Sequence, residues 1–99
     1  MKSKERANLR AEAHHLPVLV HVGHSGITDA IVQTTDDVLR TRELVKVDIS
    51  KNLDAPMKQL ATALADLTGA EVVQVIGRKV VLYRHNPDLE RKGDTPPWR

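Results

Sequence analysis

The sequence predicts an α/β fold: a single domain in the order α-β-α-β-α-β-β with a four-stranded mixed sheet. Two patterns carry that expectation. Stretches with apolar residues at helical spacing alternate with short valine-rich runs of period two. The last two of those runs face each other across Gly77-Arg78, the spacing of a tight hairpin. Helical crossovers imply parallel strand pairs and a hairpin makes an antiparallel one, so the sheet is mixed. Right-handed crossovers place the second and third helices on one face. A chain of 99 residues fits one domain with one modest core.

In chain order, residues 3–15 read as a polar helix with Leu9, Ala13 and Leu16 as its apolar stripe, stopped by Pro17. Val18, Val20 and Val22 alternate with Leu19 and His21 as a short strand. After Gly23-His24-Ser25-Gly26, a second helix runs from Thr28, its expected N-cap, to about Arg42, with Ile27, Ala30, Ile31, Val38 and Leu39 at helical spacing. Val45, Val47 and Ile49 alternate with Lys46 and Asp48 in a second strand. Asp54 is the expected cap of a third helix with Pro56 in its first turn. Met57, Leu60, Ala61, Leu64 and Leu67 form its buried stripe, and Gly69 its end. Glu71–Ile76 and Lys79–Arg84 form the closing hairpin. Residues 1–86 are the expected domain, and the aperiodic residues 87–99 a mobile tail.

Composition removes several function classes. The absence of cysteine rules out disulfides, thiolate metal sites and cysteine nucleophiles. No apolar run approaches membrane-spanning length, and MKSKERANLR lacks the apolar stretch of a signal peptide, so a cytoplasmic protein is expected. Tyr83 and Trp98 are the only aromatics, too few for a base-stacking platform of several rings. The net charge of +2 hides a segregation: residues 1–26 carry +2, residues 78–99 carry +3 and residues 27–77 carry −3. Four of the five histidines lie in the first segment. Such segregation points to a basic face that meets an anionic partner.

Gly23-His24-Ser25-Gly26 joins a strand directly to a helix. Two glycines at this spacing permit positive φ and let another backbone come close. The helix behind them offers free N–H groups and the positive end of its dipole. His24 and Ser25 at the tip can both donate to phosphate oxygens. Asp29 competes for the same positive end, so nucleic acid is expected at the loop tip. A G-x-x-G loop of this kind clamps nucleic-acid backbone in KH domains, although the pattern alone also describes an ordinary turn.

The segments Leu9-Arg10-Ala11, Ala13-His14, Pro17-Val18, Val22-Gly23-x-x-Gly26, Thr28 and Glu43-Leu-Val-Lys-Val47 form a pattern. That pattern resembles the CRM domain (chloroplast RNA splicing and ribosome maturation) in its stand-alone bacterial YhbY form. The resemblance continues through Thr68-Gly69-Ala70, Val73-Gln-Val-Ile-Gly77 and Val81-Leu-Tyr-Arg84, and so spans about residues 6–86. It implies a fold similar to the C-terminal domain of bacterial translation initiation factor three. It also implies association with the precursor of the large ribosomal subunit and RNA contact through Gly23, His24, Ser25 and Gly26. Lys46 and Arg78, inside or beside matching segments, would add positive charge. Loops of the family often carry Lys after the first glycine, where this chain has His24, an imidazole whose charge changes near neutrality.

The expected function is therefore non-catalytic RNA binding in ribosome assembly. The loop, with Thr28, is joined in the expected RNA-binding surface by Arg6, Arg10, Lys46, Arg78, Lys79 and Arg84. Ribosomal proteins are the secondary partners considered; no membrane partner and no cofactor are expected, and the expected state is a monomer. A metal site on His14, His15, His21 and His24 is disfavoured. Consecutive helical residues do not face each other, and no ordered carboxylate cluster accompanies them; His14 is expected to pack at the helix end and His15 to be solvated. Ser25 beside His24 lacks the geometry of a nucleophile and base, and no orienting acid is evident. The alternative from another class is a protein-interaction module that docks on a ribosomal protein or another factor, with the loop a plain turn.

Overall fold

The computed structural model describes residues 2–91. Its elements are α1 (Ser3–Ala13), β1 (Val20–Val22), α2 (Asp29–Arg42), β2 (Leu44–Ile49), α3 (Met57–Thr68), β3 (Glu71–Ile76), β4 (Lys79–Tyr83) and the short α4 (Asp88–Arg91). The four strands form one mixed sheet in the order β1-β2-β4-β3. β1 lies parallel to β2, with Val20 opposite Val47 and Val22 opposite Ile49. β4 is antiparallel to both β2 and β3. The α3 crossover thus returns β3 in the direction of β2 but not beside it, because the hairpin folds β4 back into the gap. The parallel pair expected across α3 is replaced by two antiparallel pairings.

Strand alternation sends apolar side chains to both faces of the sheet. On one face Val20, Val22, Val45, Val47, Ile49, Val80 and Leu82 pack with Leu39 of α2 and Ala61, Leu64 and Ala65 of α3. The second and third helices share this face, as the handedness of crossovers requires. On the other face Leu44, Val73, Val81 and Tyr83 pack with Leu9 and Ala13 of α1. α1 packs on β2 and β3 but leaves the row His21, Asp48, Lys79 and Ile76 uncovered, with His21 and Ile76 exposed. A bulge between Val72 and Gln74 lets Val73 join the α1 side.

Local structure corrects several expectations. The N-cap of α3 is Pro56, in extended conformation and without a side-chain cap, and Asp54 is exposed in the loop before it. Pro56 instead supplies the carbonyl that accepts the Leu60 N–H at 3.1 Å. Leu67 is 60% exposed; the stripe runs through Ala61, Leu64, Ala65 and Thr68, and Leu67 falls to its flank. In α2 Ala30 faces solvent, whereas Thr35 is buried with its hydroxyl donating to the Ile31 carbonyl at 2.8 Å. α1 stops at Ala13, and His14, expected to be packed, is exposed like His15, because Ala13 and Leu16 take the inward positions.

Past β4, Asp88–Arg91 adds a helical turn where the sequence shows no periodicity. Asn86 sets it: its side-chain oxygen accepts the Asp88 N–H at 3.0 Å, and Leu89 buries behind it. Trp98 and the rest of the expected tail from Lys92 lie outside the described residues.

Candidate nucleic-acid interface

β1 is short because the chain must turn at once into α2. Gly23 and Gly26 close that turn, with the Gly26 N–H donating to the Gly23 carbonyl at 3.0 Å. Gly26 has φ +78°, a value only glycine adopts without strain. Gly23 does not use positive φ; a Cβ placed on it meets nothing within 4 Å, so its outer side is open to another backbone. His24 and Ser25 stand exposed at the tip. Thr28 caps α2 as expected, its hydroxyl accepting the Ile31 N–H at 3.2 Å. Asp29 sits in the first helical turn and offsets part of the positive end of the helix there.

Two other segments meet the loop at this end of the sheet, where the parallel strands β1 and β2 finish. The β2–α3 connection is tied to it by the Ser50 N–H, which donates to the Val22 carbonyl at 2.8 Å. Leu53 of the same connection lies behind Gly26. The β3–β4 turn, Gly77-Arg78, contributes the third segment. Arg78 donates through Nε to the Ile49 carbonyl at 3.2 Å and through Nη2 to the carbonyls of Ser50 and Leu53. One side chain thus staples the connection that supports the G-x-x-G loop. Lys51, in that connection, is exposed and has no partner among the described residues.

The remaining cations expected at the site are spread more widely. Lys79 pairs with Asp48 at 2.7 Å, and His21 approaches the other oxygen of Asp48 at 3.7 Å. The hydrogen bond from Lys79 holds the Asp48 carboxyl below the usual carboxylate range. Lys46 lies toward α1 and donates to the Ala13 and Leu16 carbonyls at 3.2 and 3.5 Å, closing the helix end. Arg6 binds the Val72 and Val73 carbonyls at 2.8 and 3.1 Å, at the bulge. Arg10 is exposed and without a partner among the described residues. Arg84 lies at the opposite end of β4, bound to the Asp36 carboxylate at 2.6 Å and the Thr68 carbonyl at 2.6 Å.

The structure therefore brings Gly23, His24, Ser25, Gly26, Thr28, Arg78 and Lys79 to one end of the sheet, places Lys46, Arg6 and Arg10 along the α1 side, and separates Arg84 from them. Sequence reasoning missed Lys51, which its position just past the end of a parallel strand could have signalled, since ligands of α/β sheets gather there. Glu43, read in the sequence only as part of the family-like segment Glu43–Val47, is fully buried with φ +64° between α2 and β2. Among the described residues no group of three His, Asp or Glu side chains converges as a metal site, and no helix is long and apolar enough to cross a membrane.

The mixed α/β sheet thus presents a glycine-bounded loop, with Arg78 and Lys51 beside it, at the ends of its parallel strands. The family profile of the CRS1/YhbY (CRM) domain matches residues 1–84, and the chain belongs to that family. A Bacillus subtilis protein named a probable RNA-binding protein, YqeI, is 32% identical over 88 residues, covering 89% of this chain and 92% of that protein. A Haemophilus influenzae protein named an RNA-binding protein is 35% identical over 97 residues, covering 97% and 95%. The solution structure of a hypothetical Staphylococcus aureus protein, described as a candidate RNA binder, superposes with TM-score 0.76 at 36% identity. It covers 87% of this chain and 90% of that one.

Proposed function

We propose that this chain is a non-catalytic RNA-binding protein of the cytoplasm that acts in ribosome assembly on the precursor of the large-subunit RNA. One observation carries the reading. The G-x-x-G loop, exposed at its tip, stands beside Arg78, whose partners among the described residues are three backbone carbonyls and no carboxylate. Membership of a family whose relatives are named for RNA binding supports the same partner. The open side of Gly23 admits the RNA backbone, while His24 and Ser25 donate to its phosphates. Lys46, Arg6 and Arg10 extend the positive surface along α1, and Lys79 and Arg84 add least because carboxylates face them. Phosphate contacts of this kind recognise RNA shape more than sequence.

The test is a titration of the full chain against structured large-subunit ribosomal RNA fragments at low and moderate salt. A double variant, His24→Asp with Ser25→Asp, is compared and its melting followed in parallel. Both residues are exposed, so the variant is expected to melt with the wild type. Two new negative charges at a phosphate clamp are expected to weaken binding by roughly a hundredfold, and wild-type affinity is expected to fall steeply with salt. Equal binding by both proteins would make the loop a plain turn. Association that survives high salt and nuclease would point to a protein partner instead.

A further inference from the structure

Between α1 and the uncovered part of the sheet lies a recess of about 550 Å³. Ala11, Ala13, Val81 and Ile76 give it apolar walls, and Gln74 adds one amide. Arg10, His14, His15 and Lys46 supply its polar rim, and no carboxylate lines it among the described residues. Ile76 is 56% exposed although it sits on a strand, so an apolar surface stands open to a ligand. Its volume is in the range of pockets that hold small organic groups. With Arg10 and Lys46 on its rim, the lining disfavours a cationic ligand. It favours one that joins a largely apolar body to negative charge and can hydrogen-bond the Gln74 amide.

Strand register connects this recess to the G-x-x-G loop. Gln74, Val81 and Lys46 form one cross-strand row, and Ile76, Lys79, Asp48 and His21 form the next. The rows are about 7 Å apart, two residues along a strand. The second row abuts the Gly77-Arg78 turn and the end of β1, where the loop begins. Loop and recess are therefore two parts of one continuous surface.

We infer that the recess receives a single nucleotide turned out of an RNA stack, its base against Ile76 and Val81, its edge met by the Gln74 amide and its phosphates by Arg10 and His14 or His15. The inference rests on the proposed RNA-binding function and adds to it a preference for RNA with an unpaired, extruded nucleotide. Lys46, held by the carbonyls at the end of α1, contributes fixed positive charge beside the phosphate position. A chain with few aromatics would thus accommodate a base by enclosing it between a helix and a sheet rather than by stacking on rings.

The test uses the full chain and two RNA hairpins of the same stem, one fully paired and one with a single bulged adenosine. Wild type is expected to bind the bulged hairpin about tenfold more tightly, the effect of burying an apolar group of this size. Ala11→Leu fills the recess from an exposed helical position with a good helix former, and Ile76→Ser removes the apolar wall without changing charge. Each is expected to abolish the preference while leaving affinity for the paired hairpin within twofold. The loop double variant is expected to weaken both hairpins equally. Equal binding of the two hairpins by wild type, or a preference that survives both recess variants, overturns the nucleotide subsite and leaves the RNA-binding function standing. Binding of neither hairpin overturns both. Saturation of the Gln74 side-chain amide signal by micromolar adenosine 5′-monophosphate would assign the recess to a free nucleotide and overturn the RNA assignment.

Discussion

Arg78 and Arg84 flank β4 at opposite ends of the sheet, and both bind backbone carbonyls, yet among the described residues only Arg84 also meets a carboxylate, Asp36 at 2.6 Å. The difference separates two uses of one residue type. At the Arg84 end charge is closed in on itself. Arg84 ties the end of α3 to α2, its N–H donates to the Glu43 carbonyl at 2.9 Å, and Asn86 donates its backbone N–H to the buried Glu43 carboxylate at 2.6 Å. At the Arg78 end the guanidinium organises a loop through neutral oxygens, so a positive field persists beside the G-x-x-G turn. One end serves cohesion; the other serves cohesion and, under the proposed function, also offers charge to an anionic partner.

The comparison is broken most directly at Glu43. Its carboxylate is fully buried, receives the Asn86 N–H and lies 3.7 Å from His85, so Glu43→Ala takes the acceptor from a partly buried donor and opens a cavity. A loss of about 3 kcal/mol is expected in chemical denaturation, with RNA affinity of the folded protein within twofold of wild type. A variant that keeps its stability would show that the far end does not hold the fold together. One that keeps stability but loses RNA binding would place the interface at the wrong end.

The arginines themselves sharpen it. Arg78→Ala and Arg84→Ala each remove charge-assisted hydrogen bonds, and each is expected to cost about 2 kcal/mol in stability. Only Arg78→Ala is expected to lower RNA affinity, by roughly three- to tenfold at low salt, and to reduce the slope of log affinity against log salt by about one. Identical salt slopes in the two variants would mean that the carbonyl-bound guanidinium gives no more to RNA than the carboxylate-bound one.

These partnerships also mark where the sequence stops being legible. The period-two runs of β2, β3 and β4 and the Gly77-Arg78 turn are local signals, and Gly77, with φ +56°, is the first central residue of the hairpin turn as read. The loop and its Thr28 cap are local too. The place of β4 between β2 and β3 is not, because chain order states which strands are successive and not which are neighbours. Asp54 carries a cap's chemistry, but Pro56 occupies the cap position, a choice made by the path of the β2–α3 connection. The partners of Arg6, Arg78 and Arg84 lie 16 to 67 residues away in the chain, beyond any reading of periodicity. A list of basic residues could therefore anticipate positive charge but not which charges stay uncompensated.

Asp48 offers the finest adjustment of the same contrast, since it is the carboxylate facing the cations beside the loop. It pairs with Lys79 and lies near His21, and the Lys79 hydrogen bond lowers its pKa. A group whose folded pKa lies below its unfolded one adds stability above the unfolded value and loses it as pH falls through the folded one. The pair is partly exposed, so its contribution is at most about 1 kcal/mol. Asp48→Asn is accordingly expected to melt slightly below wild type at pH 7, and the gap to close as pH falls below the ordinary carboxylate range. At neutral pH the same substitution frees the Lys79 charge and is expected to raise RNA affinity by about two- to threefold at low salt, with a steeper salt dependence. Melting curves at pH 7 and pH 3 and RNA titrations at two salt concentrations separate the two effects. Weaker RNA binding by Asp48→Asn would mean that the carboxylate holds Lys79 where RNA needs it, making Asp48 a positioning residue of the interface rather than a brake on its charge.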